Sequence, residues 1–194
     1  MSPRTLEQNT EIRAKTRMRI LTASMKLFGE RGFEGTSVNA IATEAHMAKG
    51  LIYNHFDTKV DIVKGLVEMM MEMGEELMAP NQEFESSKHH LKHIIDDFFN
   101  FIERQTQIMS WMLPMAFQIG RYPFVTELVA GKIKSVMGIS EQLFNDLGYP
   151  DPKQEAWFFG ALIDGVGMDH ILINNYETQK MHQYILTKYE LNNL

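Results

Sequence analysis

The sequence predicts an all-α protein of about nine helices, with a helix-turn-helix near its start and no sheet. Three observations carry this. Apolar residues recur at helical intervals, no stretch shows the strict alternation of a half-buried strand, and Ser, Thr, Asp, Pro and Gly stand where helices would start and stop.

The first helix is expected over about Glu11 to Glu30, ending before Gly32. Thr36 and Ser37 can cap a short second helix with Val38, Ile41, Ala42 and Ala45 at helical spacing, and Glu44 to Met47 then interrupts it. In a third helix Ile52 and Phe56 turn inward with Met47, leaving Lys49, Gly50, Leu51, Tyr53, Asn54 and His55 on the other face. Two short helices across a tight turn present the second to a DNA major groove.

That outward face has suitable chemistry. Lys49 suits a phosphate or a guanine edge, Tyr53 and His55 can donate to phosphate oxygens, Asn54 can pair an adenine edge, and Leu51 can pack on a thymine methyl. Gly50 lets a phosphodiester approach closely.

Beyond it, Thr58 with Asp61 three residues on forms a capping box for a fourth helix ending near Met78, before Pro80. Asn81 to Ser87 reads as a polar loop. Ser86 or Ser87 opens a fifth helix with the apolar pattern Leu91, Ile94, Ile95, Phe98 and Ile102. A sixth covers about Gln107 to Gln118 with Pro114 as a kink or break. A seventh runs from Pro123 to Leu147 and stops at Gly148. Asp151, Pro152 and Gln154 start an eighth, and a last helix spans about Thr178 to Leu191.

The stretch from Ile12 to Val67 resembles the N-terminal domain of the tetracycline-repressor (TetR) family of bacterial transcription regulators. Ile20-Leu21, Ala23, Leu27-Phe28, Gly32-Phe33, Thr36-Ser37-Val38, Ile41-Ala42, Ala45, Lys49-Gly50, Tyr53, Phe56 and Lys59 all fall in register. His46 stands where the family's turn glycine is expected, and Ala48 where a capping Ser or Thr is common. Histidine tolerates positive φ better than most residues, so the turn survives, while the missing cap forfeits about 1 kcal/mol.

The resemblance implies two domains: residues 1–60 for DNA binding and residues 61–194 for effector binding and dimerisation. On that basis Arg13, Thr36, Ser37, Ala48, Lys49, Gly50, Leu51, Tyr53, Asn54, His55 and Lys59 are the expected DNA-binding residues. The partner is a double-stranded operator, palindromic because a two-fold dimer reads it.

Net charge is −6, which at first opposes DNA binding, but it divides unevenly. Residues 1–60 hold nine basic and six acidic side chains, the remainder ten and nineteen. Arg4, Arg13, Lys15, Arg17 and Arg19 precede and open the first helix, where they can reach phosphates while DNA repels the acidic remainder.

Fifteen methionines in 194 residues cluster at Met69, Met70, Met71 and Met73 and again at Met109, Met112 and Met115. Methionine is flexible and polarizable, and lines surfaces that adapt to apolar partners. The family's equivalent helices enclose an effector pocket. Phe98, Phe101, Met109, Trp111, Met112, Met115, Phe117, Phe158 and Leu162 are therefore candidates to bind an apolar or amphipathic small molecule, with an ordinary Met-rich core as the competing reading.

In the eighth helix Gly160, Gly165 and Gly167 each cost about 1 kcal/mol of helix propensity. Close approach of another helix can offset that, and the resemblance implies a homodimer interface built on Gly160, Gly165, Gly167, Met168, Ile171 and Tyr184. Packing within the chain is the alternative.

A chain with 44% hydrophobic residues can bury a full core without crosslinks, and the absence of cysteine excludes disulfides and thiolate metal sites. No apolar run reaches the roughly 18 residues needed to span a bilayer, so a soluble cytoplasmic protein without membrane partners is expected. His89 and His93 are four apart, but no clear third ligand fixes a metal site, and a solvated helix face is the reading. Asp164, Asp169 and His170 lack a nucleophile or oxyanion-hole motif beside them, so no catalytic residue, cofactor or metal is expected. A small helical enzyme would need such a constellation. An interaction adaptor without DNA readout would lack Lys49, Tyr53 and Lys59.

Overall fold

A computed structural model describes residues 5–78, 83–120 and 122–194. Arg4, Pro80 and Asn81 lie outside the described residues. Among those described are nine helices and no strand: α1 Leu6–Gly35, α2 Val38–Glu44, α3 Lys49–Tyr53, α4 Lys59–Met78, α5 Ser87–Arg104, α6 Thr106–Ile119, α7 Pro123–Asp146, α8 Pro152–Leu172 and α9 Thr178–Lys188.

Local hydrogen bonds explain most boundaries. Helix α1 begins earlier than Glu11 because Thr5 and Gln8 form a reciprocal capping box, with bonds of 3.2 and 3.1 Å. Its regular part ends at Gly32, whose φ of 78° is left-handed, and a short further turn reaches Gly35. The expected box at α4 is present: Thr58 N–H donates to Asp61 at 3.0 Å, and Asp61 N–H to the Thr58 hydroxyl at 3.1 Å.

Ser86 accepts from His89 N–H and Asp151 from Gln154 N–H, starting α5 and α8. At Gly148, φ of 78° allows Tyr149 N–H to reach back to the Phe144 carbonyl and close α7. Helix α9 stops short of Leu191 because Glu190 enters the left-handed region and Leu191 N–H bonds to the Leu186 carbonyl. Pro114 does not break α6, which runs unbroken from Thr106 to Ile119.

The chain forms two compact units, Met1–Met69 with Trp111–Thr126, and Met70–Ser110 with Glu127–Leu194. In the first, Ile20, Leu21, Phe28, Ile41, Ile52, Ile62 and Leu66 are fully buried, each such side chain contributing about 1.5–3 kcal/mol. Met115 and Ile119 are buried too. The Trp111 backbone lies so close to α1 that a Cβ on Gly29 would sit 2.8 Å from its carbonyl oxygen.

In the second unit, Leu91, Ile95, Phe99, Phe144, Phe159 and Ile185 from α5, α7, α8 and α9 form the core. His182 locks α9 to α5, its Nε2 2.7 Å from Asp96 and its ring stacked on Phe99. Tyr189 donates to Glu155 on α8 at 2.9 Å, and burial, then that carboxylate, pushes its phenol well above the usual range. No helix among the described residues is long and apolar enough to cross a membrane.

Candidate nucleic-acid interface

Helix α3 is held from beneath by one residue. Ile52 is 0% exposed, while Lys49, Gly50, Leu51, Tyr53 and Asn54 are exposed on the outer surface. Just beyond the helix Phe56 is buried, and the Arg17 guanidinium lies 5.4 Å from its ring centroid. Ala48 gives no side-chain cap, as its identity requires. His46 makes the turn at φ 52°, so histidine does the work of the missing glycine. Lys49 and Tyr53 lie on one surface, the ammonium 5.9 Å from the ring.

Helix α2 is pinned to α1 at its C-terminal end. Lys26 and Glu44 pair at 2.6 Å, an interaction that raises the Lys26 pKa and lowers that of Glu44. Arg19 donates to the Ala45 carbonyl at 2.6 Å. At the other end Ser37, exposed, accepts from Ala40 N–H at 3.1 Å.

The basic side chains at the start of the chain divide by engagement. Arg17 bonds Glu68 at 3.1 Å, Lys15 bonds Glu11 at 2.6 Å, and Arg19 is spent on Ala45. Arg13 is exposed and enters none of these contacts. His55 is half-buried; burial first, then Arg13 and Arg17, lower its pKa below the ordinary histidine value. The ring is thus neutral near pH 7 and lies in the positive field of two guanidiniums, where an anion is favoured.

Two expected DNA contacts are placed otherwise. Thr36 is 1% exposed, its hydroxyl donating to the Gly32 and Leu27 carbonyls at 2.8 and 3.1 Å. The Lys59 ammonium donates to the Phe33 and Thr36 carbonyls at 2.6 and 3.0 Å. Both side chains are occupied by the end of α1, which has run out of amide donors. Sequence reasoning missed these ties and those of Arg19 and Tyr122. The pair Gly29 and Gly32, three residues apart at a helix end, was the available signal of a close approach there.

The expected effector residues fall in both units. Phe98, Phe101, Met109 and Leu162 pack in the core of the second, where Met109 and Phe98 also close on Gly167. Trp111, Met112, Met115 and Phe117 belong to the first; Met115 is buried, and Phe117 is 69% exposed. Phe158 is exposed beneath Lys188. A solvent-open groove of about 750 Å³ in the second unit runs between α5 and α7, lined by His90, Lys134, Gly138, Ile139 and Gln142, and includes none of the nine.

Of the expected dimer residues, Gly167 faces its own chain: a Cβ there would meet Met109 at 3.3 Å and Phe98 at 3.5 Å. Gly160 and Gly165 open onto free space, Tyr184 is exposed, and Met168 and Ile171 are half-buried. Trp157 and Leu172 on α8 and Ile173 in the loop before α9 add exposed apolar surface. Three of the histidines on α5 and α8 are held in structural contacts, while burial raises the pKa of Asp164. His93 pairs with Asp97 at 3.3 Å, His90 bonds the Met78 carbonyl, and His170 lies between Thr106 and Thr178 at 3.3 and 2.8 Å.

A capped helix, a sharp turn and a short helix exposing one polar face define a helix-turn-helix protein. The model of a family described as bacterial regulatory proteins, tetR family, matches residues 20–66, which take in α2, α3 and parts of α1 and α4. The transcriptional repressor BepR of Brucella suis biovar 1 (strain 1330) is 35% identical over 72 residues, covering 37% of this chain and 34% of BepR. The chain therefore aligns with about a third of that relative's length. The solved structure of FadR, a fatty acid degradation regulator from Bacillus halodurans, matches with TM-score 0.73 at 17% identity over 92% of this chain and 96% of FadR. Salmonella enterica GusR matches with TM-score 0.69 at 20% identity over 90% and 95%. At these identities the structural likeness is one of fold.

Proposed function

We propose that this chain is a ligand-responsive, DNA-binding transcription regulator, a repressor released by a small apolar or amphipathic effector. One observation carries the reading. Helix α3 buries Ile52 completely and turns Lys49, Leu51, Tyr53 and Asn54 to solvent, an arrangement with no role in the core and with donors suited to base edges and phosphates. The name of BepR, a transcriptional repressor, and the family match over α1 to α4 support it.

A single α3 reads too few base pairs for selectivity, so the functional unit is a homodimer reading a palindrome. Its interface is proposed on α8 and α9, around Gly160, Gly165 and Tyr184. The effector is proposed to bind in the second unit near Phe98, Phe101, Met109 and Leu162, on flexible and aromatic side chains that suit an apolar guest. It acts by binding more tightly to the DNA-incompetent state, where a coupling of about 1–3 kcal/mol gives roughly 5- to 150-fold release.

Selection of bound duplexes from a random pool tests the function. The expected result is a palindrome with half-sites about one helical turn apart. Recovery of no preferred sequence from repeated rounds would refute the regulator reading. Screening apolar carboxylates and amphipathic cations for release of that duplex then tests the effector.

A further inference from the structure

We propose that Lys59 and Tyr122 are positioning residues for operator reading: gripping Phe33 from two sides, they fix the corner between α1 and α2, and the Lys59 ammonium makes no phosphate contact. This deepens the DNA-binding function proposed above and rests on it.

The corner begins where Gly32 turns left-handed and α1 loses its regular hydrogen bonding. The Phe33 carbonyl keeps one long bond, from Thr36 N–H at 3.3 Å, and the Thr36 carbonyl lies beyond the last helical amide. Lys59, in the first turn of α4, supplies donors to both, at 2.6 and 3.0 Å, and its ammonium sits 4.2 Å from the centroid of the Phe33 ring. Two carbonyls and an aromatic face occupy the directions in which an ammonium donates. A phosphate could recruit it only by stripping the Thr36 carbonyl of its donor, weakening the bonding at Phe33 and leaving the aromatic face, which together cost more than a solvent-exposed ion pair returns.

Tyr122 holds the same ring from its edge, with centroids 5.3 Å apart, and its hydroxyl donates to Glu34 at 2.9 Å. Thr36 closes the corner with its buried hydroxyl, and the next residue, Ser37, is already the cap of α2. Little slack separates the gripped ring from α2, whose far end is fixed by Lys26 and Arg19. Helix α3 follows α2 across the His46 turn, so its angle is inherited from this corner. A side chain from the middle of the sequence thereby bears on how the first seventy residues meet DNA.

The experiment compares affinity for the selected operator with affinity for a scrambled duplex, over a salt series, using the full chain. Lys59→Met should lose about tenfold in operator affinity, keep scrambled-duplex affinity, and keep the salt slope. Lys59→Arg, which retains charge and donors, should recover most of the loss. A purely structural role would lower the melting temperature and leave the operator-to-scrambled ratio of the folded protein unchanged, which would overturn the proposal.

A loss on both duplexes, with the slope flattened by about 0.9, would make Lys59 a phosphate contact and overturn it as well. If Lys59→Met does not fold, Tyr122→Phe decides, since it keeps the ring and removes the bond to Glu34. A loss of about threefold on the operator alone supports the proposal, and an unchanged ratio overturns it. A wild-type chain that selects no duplex overturns the regulator reading, and this inference with it.

Discussion

Gly29 and Gly74 both lie inside helices, yet replacing each by alanine should move stability in opposite directions. Helix propensity alone favours alanine by about 1 kcal/mol at either place. At Gly74 in α4 a Cβ would meet nothing within 4 Å, so the gain should appear almost in full. At Gly29 the Cβ would lie 2.8 Å from the carbonyl oxygen of Trp111 and 3.4 Å from its Cα. These are backbone atoms of a helix that also buries Met115 and Ile119, so they cannot swing aside as a side chain can. Overpacking of this kind costs about 1–3 kcal/mol, which cancels or exceeds the propensity gain.

The net expectation is about 0–2 kcal/mol of destabilisation for Gly29→Ala against about 1 kcal/mol of stabilisation for Gly74→Ala. For a chain of this length each kcal/mol moves the melting temperature by about 2–4 °C. Thermal unfolding followed by far-ultraviolet circular dichroism should therefore order the three proteins Gly74→Ala, wild type, Gly29→Ala from highest to lowest. Gly29→Ala melting above wild type to the same extent as Gly74→Ala would refute the close seat of α6 on α1.

Two further expectations concern charge and assembly. Well above pH 6.5, the ordinary histidine value, His55 is neutral in both folded and unfolded chains and does not affect stability. Because burial, Arg13 and Arg17 lower its folded pKa, the unfolded chain takes the proton first as pH falls, so stability should drop below that pH and His55→Gln should drop less in the same melting series. An equal decline in both proteins would assign the acid sensitivity to other groups, such as His90, whose pKa burial also lowers. Gly165→Leu meets no atom within 4 Å of its Cβ, so the protomer should fold normally while the proposed α8 interface is forced apart. Sedimentation should show monomers and weakened operator binding, and an intact dimer would place the interface elsewhere.

What could be read from the sequence was what depends on neighbours along the chain. The Thr58–Asp61 box, the caps at Ser37, Ser86 and Asp151, the stop at Gly148 and the inward Ile52 each follow from residues within about one or two turns. The Thr5–Gln8 box is equally local, but it precedes the apolar pattern by which a helix start is recognised. Lys59 and Thr36 were harder, because what they meet lies elsewhere: the Lys59 ammonium serves a carbonyl 26 residues away, and no periodicity distinguishes it from a lysine facing DNA. Arg19, which bonds the Ala45 carbonyl, is the same case. What separates Arg13 from Lys15, Arg17 and Arg19 is that those three bond Glu11, Glu68 and the Ala45 carbonyl, and two of these partners lie far along the chain. Gly167 shows the limit within one helix: its spacing from Gly160 is one heptad, yet it packs inward on Met109.

The outer face of α3 is proposed to read DNA. Affinity of the Lys49→Ala, Tyr53→Ala double variant for the selected operator, measured beside a scrambled duplex, tests it most directly. Both side chains are exposed, so their removal should leave folding and melting temperature near those of the wild type. Each substitution should weaken operator binding by about 1–3 kcal/mol, with a much smaller effect of the pair on the scrambled duplex. Operator affinity equal to that of the wild type would contradict it.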